Sequence, residues 1–109
     1  MPSSRSAWVY IMASRKNGTL YIGVTTSIRR RVWQHKEKLI EGFTKDHQVN
    51  TLVHLEELAG IRNAIGREKE IKGWRRDRKI MLIESTNPDW ENLAAKWFEH
   101  PSDPSRGSG

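Results

Sequence analysis

Trp8-Val9-Tyr10-Ile11-Met12, then Asn17-Gly18, then Thr19-Leu20-Tyr21-Ile22-Gly23-Val24-Thr25 is the stretch from which the fold is read. Both flanks are rich in β-branched and aromatic residues, and Asn-Gly between them favours the positive φ angles of a tight turn, so the stretch predicts an antiparallel hairpin. With an even-numbered, unbulged loop, opposed residue numbers add to 35. Val9, Ile11 and Ala13 then share a face with Leu20, Ile22 and Val24, and that wholly apolar face is core. The other face carries Tyr10, Met12, Tyr21, Gly23 and Thr25, a set with two phenols, a hydroxyl and a glycine at which backbone is exposed. A working surface is expected there, provided that no β-bulge shifts one strand by a residue.

Downstream of the hairpin, Ser27 is placed to cap a helix over about 27–40, with Ile28, Val32, His35 and Leu39 at helical spacing and Gly42 ending it. On that helix Arg29, Arg30 and Lys36 point away from the apolar stripe, whereas Arg31 and His35 lie on or beside it and face the sheet. Thr51 to Leu58 reads as a third strand. A second helix over about 61–73 aligns Ile61, Ala64, Ile65 and Ile71, with Glu68 in the middle of the same face. Arg75-Arg76-Asp77-Arg78-Lys79 follows, then a short helical segment Ile80 to Ile83, and Pro88 of Asn87-Pro88-Asp89-Trp90 suits the first turn of a last helix. One domain over 7–97 is expected between disordered ends at 1–6 and 98–109, since 109 residues make one core.

The charge is +6, from 19 Lys and Arg against 13 Asp and Glu. Its distribution matters more than its sum: residues 1–40 hold eight basic side chains and one acidic, residues 61–80 eight and three. Two such blocks suit a polyanion, although a solvated basic surface explains them as well. The chain has no cysteine, which excludes disulfides, thiolate metal sites and cysteine nucleophiles. No apolar run reaches the roughly 20 residues of a membrane span and no signal peptide is visible, so a cytoplasmic protein with no membrane partner is expected.

Each candidate side chain has a structural explanation of its own. Glu68 on an apolar helix face loses hydration and needs a partner, and Lys72, four residues on, supplies an ion pair. Arg31 reads as an arginine stem packing at a core edge, His35 as a satisfied core histidine, and Tyr10 and Tyr21 as half-buried aromatics. Their expected convergence, together with Glu68, on one groove between hairpin and helices favours a site over five coincidences.

Val9-Tyr10-Ile11, ten residues after Tyr10, and then Tyr21-Ile22-Gly23 resemble the two defining motifs of the GIY-YIG endonuclease domain, with Trp8-Val9-Tyr10 in place of Gly-Ile-Tyr. The likeness is greatest to the small stand-alone bacterial members, related to the nuclease domain of the excinuclease C subunit. It extends through Ile28-Arg29-Arg30-Arg31, Trp33-Gln34-His35-Lys36, Gly42-Phe43-Thr44, Arg67-Glu68-Lys69-Glu70-Ile71-Lys72-Gly73-Trp74 and Asn87-Pro88-Asp89-Trp90. The resemblance implies an α+β fold, a small three-stranded antiparallel sheet flanked by helices, and phosphodiester cleavage with one divalent metal, Mg²⁺ or Mn²⁺. It casts Tyr21 as the general base or nucleophile-activating tyrosine, Tyr10 as a contact to the attacking water or phosphate, Arg31 as the holder of the scissile phosphate and Glu68 as the sole metal-ligating carboxylate. His35 matches a histidine found in many members and Asn87 an asparagine near the site. Val24 stands where some relatives have a lysine, and His47 where close relatives often have tyrosine.

The expected substrate is DNA, cut in a structure-directed way in repair or recombination, with Gly23, Arg29, Arg30, Lys36, Lys72, Arg75, Arg76 and Asn87 toward phosphate or DNA. Specificity is expected from substrate shape, the basic surface or a partner protein. Two other readings stay open at this point: a non-catalytic nucleic-acid-binding module with the same fold, and an RNA-directed nuclease.

Overall fold

The structure is a computed structural model that describes residues 6–37 and 49–98. The expected helix end at Gly42, the histidine His47 and the tails at 1–5 and 99–109 lie outside the described residues. The chain order is β1 (Ser6–Ala13), β2 (Leu20–Thr25), α1 (Ile28–Lys36), β3 (Thr51–Ala59), α2 (Ile61–Lys72) and α3 (Arg76–Thr86). The three strands form one antiparallel sheet in the order β2-β1-β3, an α+β fold as expected. β1 begins at Ser6, which pairs with Ala59, so the ordered core reaches one residue further than the expected boundary.

β1 is the central strand, and Ala7 and Val9 to Ala13 have no exposed surface. Alternation sends Val9, Ile11 and Ala13 to one side and Tyr10 and Met12 to the other, and each side has its own helix cover. The first set packs with Ile22, with Ala64 and Ile71 of α2, and with Ile83 and Trp90. The second packs with Ile28 and Val32 of α1, with Leu52 and with Ala94. The sheet is therefore sandwiched, α1 on one face and α2 with α3 on the other.

Both hairpin faces are as expected, but the register is two residues away from the expected one. Tyr10 pairs with Gly23 and Ile11 with Ile22, because four residues, Arg15 to Gly18, loop between paired Ser14 and Thr19. Asn17 takes the left-handed conformation (φ 59°), and Gly18 N–H donates to Arg15 O at 2.8 Å. An even-length loop conserves parity, so no side chain changes face. Between β1 and β3 the pairing slips after Ile11, leaving Val53 as the extra residue. This bulge lets Leu52 and Leu55, three apart, serve the same core cluster.

Three helical expectations need correction. Ser27 does not cap α1 with its side chain; the Thr25 hydroxyl instead accepts from the Ser27 N–H at 3.0 Å. On α2 the buried line runs through Ala64 and Ile71, whereas Ile61 and Ile65 are rolled out to solvent. Arg67 takes the far flank of that line, donating from Nε and Nη2 to the two oxygens of Glu56 on β3 at 2.8 and 3.0 Å. This fork keeps the Glu56 carboxyl below its usual range and fixes the roll of α2 against the sheet. Pro88 starts no helix: Trp90 is left-handed (φ 57°) and its N–H donates to Asn87 O, so the chain turns. The short helical segment at Ile80 to Ile83 is part of α3, which starts at Arg76 and so includes most of the basic run.

Candidate active site

The central element is the α1-side face of the hairpin. Tyr10 is fully buried, and its hydroxyl lies 3.1 Å from Nε2 of His35, itself 2% exposed. Tyr21, two pairs along on the edge strand and opposite Met12, is half-buried, with its ring centroid 6.2 Å from that of Tyr10 and 5.0 Å from that of His35. Gly23 explains how Tyr10 fits: a Cβ built on Gly23 would lie 2.5 Å from Tyr10 Cζ and 2.9 Å from Cε1, so the phenol lies flat across backbone that must be glycine.

Burial, reinforced by Tyr21, holds the Tyr10 hydroxyl above the usual tyrosine range, while a hydrogen bond and the charge of Arg31 oppose the shift. Burial, with the Arg31 charge adding to it, pushes His35 down to about 4, so its imidazole is neutral at pH 7. Tyr10, Tyr21, Arg31 and His35 thus meet on one face as the sequence implied. Their exposure divides them, however. Tyr10 and His35 are sealed, and Tyr21 and Arg31 are partly open to solvent. Tyr10 has no exposed surface, so the contact expected of it with an attacking water or phosphate is not open in this structure.

A depressed histidine has a stability consequence with a definite sign. Between about pH 4 and 6.5 the unfolded chain binds a proton at His35 that the folded chain refuses, so folding stability drops as the pH is lowered through this window and is flat at this site above it. Wild-type protein is expected to lose on the order of 2 kcal/mol from this group between pH 7 and 4.5. Thermal melts of His35→Gln over the same range should show a shallower decline, and identical slopes would place the acid sensitivity elsewhere.

Glu68 rises from α2, whose Ala64 and Ile71 pack on the other face of the sheet, and pairs with Lys72 Nζ at 2.9 Å, the structural partner anticipated for it. α2 also contacts β2, the edge strand that carries Tyr21. Other candidates are already engaged. Asn87 is buried; its Nδ2 donates to Val53 O and Glu91 O, and its Oδ1 accepts from the Glu91 N–H, so its amide works inside the fold and not at the hairpin surface. Arg76 donates through Nη2 to the carbonyls of Asn17 and Gly18 at 2.7 and 2.6 Å, clamping the hairpin turn. Arg29 donates to Trp97 O at 2.7 Å and lies over the Trp97 ring, and Lys36 lies over Phe98. Phe98, expected in the loose tail, packs on the α1-side core instead. Arg30 and Arg75 are exposed. These tertiary partners leave no local signal in the sequence.

The GIY-YIG catalytic domain family matches residues 6–81, from the first residue of β1 to the middle of α3. The chain belongs to the GIY-YIG family. Within the GIY-YIG segment lie the hairpin, α1, β3 and α2, and with them Tyr10, Tyr21, Arg31, His35 and Glu68. The chain is similar to a UPF0213 protein of Staphylococcus haemolyticus, 34% identical over 77 residues that cover 71% of this chain and 93% of the relative. It is also similar to a UPF0213 protein of Syntrophus aciditrophicus, 35% identical over 83 residues that cover 75% and 93%. The solution NMR structure of a UPF0213 protein from Bacillus halodurans shares the fold, with TM-score 0.51 and 27% identity over 85% of this chain and 97% of that one. GIY-YIG membership places the chain in a nuclease superfamily. Among the described residues no helix is long and apolar enough to cross a membrane.

The metal that GIY-YIG chemistry implies has a sparse donor set here. Among the described residues no three His, Cys, Asp or Glu side chains group as a metal site. One carboxylate, Glu68, is 15% exposed and held by a lysine that is itself half in solvent. That set fits a hard cation which keeps most of its waters and takes its remaining oxygens from substrate, as Mg²⁺ does.

Proposed function

We propose that this protein is a metal-dependent endonuclease that hydrolyses phosphodiester bonds in DNA, directed by substrate structure and acting in repair or recombination. The observation that carries the reading is the division of exposure within the cluster: Tyr21 and Arg31 reach solvent, backed by a sealed Tyr10–His35 pair. Arg31 presents a fork that stays cationic through the transition state and suits two phosphate oxygens. Tyr21, the half-buried phenol of the cluster, is the proton acceptor for the attacking water. His35 Nδ1 is buried without a hydrogen-bond partner among the described residues. An unpaired lone pair costs less there than an unpaired N–H, so Nε2 carries the proton and donates to the Tyr10 oxygen. The Tyr10 hydroxyl keeps its own proton and turns it toward Tyr21, which orients that phenol.

When bound at Glu68, a divalent cation supplies charge neutralisation for the phosphate oxygens and an acidified water. Glu68 would hold the cation in place of its pairing with Lys72, whose ammonium would then be available to the phosphate backbone. Binding to nucleic acid is expected to weaken steeply with salt, since the contacts are mainly to phosphate.

The test is a labelled panel of single-stranded, duplex, flapped and branched DNA, with RNA, incubated with Mg²⁺ or Mn²⁺ and with wild type or Glu68→Ala. Cleavage by wild type, lowered on the order of 100-fold or more in Glu68→Ala, is the expected result. Equal cutting by both removes Glu68 from the reaction. Salt-sensitive binding with no cutting by either makes the chain a binding module, and cutting confined to RNA overturns the DNA assignment.

A further inference from the structure

A concavity of about 500 Å³ opens at the corner between α2 and α3, lined by Gly73, Trp74, Arg75, Asp77, Arg78 and Met81. Its construction is unusual for a surface dent. The Arg78 guanidinium lies 4.0 Å from the centre of the Trp74 ring, and Arg67 lies 5.3 Å from the same centre. Arg67 is held by Glu56 and Glu70, so one of the two cations over the indole is fixed in place, and the ring packs on the α2-side core. Met81, 69% exposed, adds an apolar wall, and the Arg75 side chain stands 92% exposed at the mouth. None of these residues belongs to the Tyr21–Arg31 cluster, which sits on the α1 side of the sheet.

Resting on the nucleic-acid reading above, we propose that this corner is a stacking site for one unpaired nucleobase of the substrate strand. An indole capped by a planar guanidinium is a platform on which any base's π-face can lie, and cations at the rim suit the phosphates on either side. Asp77 discriminates within the site: its carboxylate repels a phosphate entering the concavity and accepts hydrogen bonds from a base's amino or imino N–H. A base therefore goes in, and its backbone stays at Arg75 and Arg78. The concavity has room for an unstacked base lying on the indole and guanidinium, so the site gives the protein a preference for substrates with unstacked nucleotides. Such a preference supplies specificity within a single small domain.

The test measures equilibrium binding by fluorescence anisotropy, in EDTA so that nothing is cut, of a labelled single-stranded DNA and an abasic strand of the same length and charge. Wild type is expected to bind the base-bearing strand about five- to tenfold more tightly. Trp74→Leu and Arg78→Gln should each bring that ratio to about one, Trp74→Leu with little change in affinity for the abasic strand because no charge is lost. Arg78 is exposed, so its variant decides the matter if Trp74→Leu fails to fold in a circular-dichroism melt. Equal affinity of wild type for both strands, or a ratio preserved in Arg78→Gln, overturns the stacking site. Base preference in a protein that cuts nothing supports the site while overturning the nuclease reading, and no binding of either strand overturns both.

Discussion

Tyr21→Phe is expected to lower cleavage on the order of 100- to 10,000-fold while leaving the thermal melt almost unchanged. The substitution removes one oxygen and keeps the ring, so the packing against Tyr10 and His35, at centroid separations of 6.2 and 5.0 Å, persists. Because the side chain is half-buried, the lost hydroxyl costs less than about 1 kcal/mol of stability. The loss in rate follows from position. Tyr10 is sealed and holds its proton more firmly than an ordinary phenol, and His35 is sealed and neutral, so Tyr21 is the member of the cluster with both an oxygen and access to water. Single-turnover cleavage by purified variant and wild type, alongside their melts, is the measurement. A variant that cuts at the wild-type rate would assign proton removal to another group.

Ile22→Asp, one residue further along the same strand, should have the opposite profile and leave no folded protein. Ile22 is 6% exposed and packs with Ile11, Ala64 and Ile71 in the core between sheet and α2. A carboxylate at that position, 6% exposed, loses the apolar contacts and most of its hydration. The cost is about 4 kcal/mol or more, comparable with the whole stability of a small domain. Loss of a cooperative melt and of near-ultraviolet dichroism is the expected reading. A melt like that of wild type would mean that the two faces of the hairpin have been exchanged.

These two neighbours show why the hairpin was legible. Alternation along an extended strand is set by backbone geometry alone, so the pattern of Val9, Ile11, Leu20, Ile22 and Val24 assigns faces without knowledge of what covers them. The register was not legible, because Asn17-Gly18 marks a turn but not how many residues bridge it, and four do so here. Helix α2 shows a similar limit. Ile61 and Ile65 follow the apolar spacing, yet the fork between Arg67 and Glu56 rolls the helix so that both meet solvent. The Glu68–Lys72 pair follows from four-residue spacing and was legible, whereas the placement of α1 and α2 on opposite faces of the sheet was not.

What the sequence by itself determined is therefore local and periodic: three strands, the helices at α1 and α2, which hairpin face is apolar, and the Tyr10, Tyr21, Arg31 and His35 set, whose members lie close along one hairpin and the helix that follows it. What only the tertiary structure decided is partnership over long separations. Arg29 ends on Trp97, Arg76 on the Asn17–Gly18 turn and Asn87 on Val53, pairs separated by 68, 59 and 34 positions. Long polar side chains satisfy their hydrogen bonds with whichever carbonyls packing brings within reach, and that depends on how whole elements dock. Strand alternation and helical period, in contrast, are written into each residue's own backbone geometry.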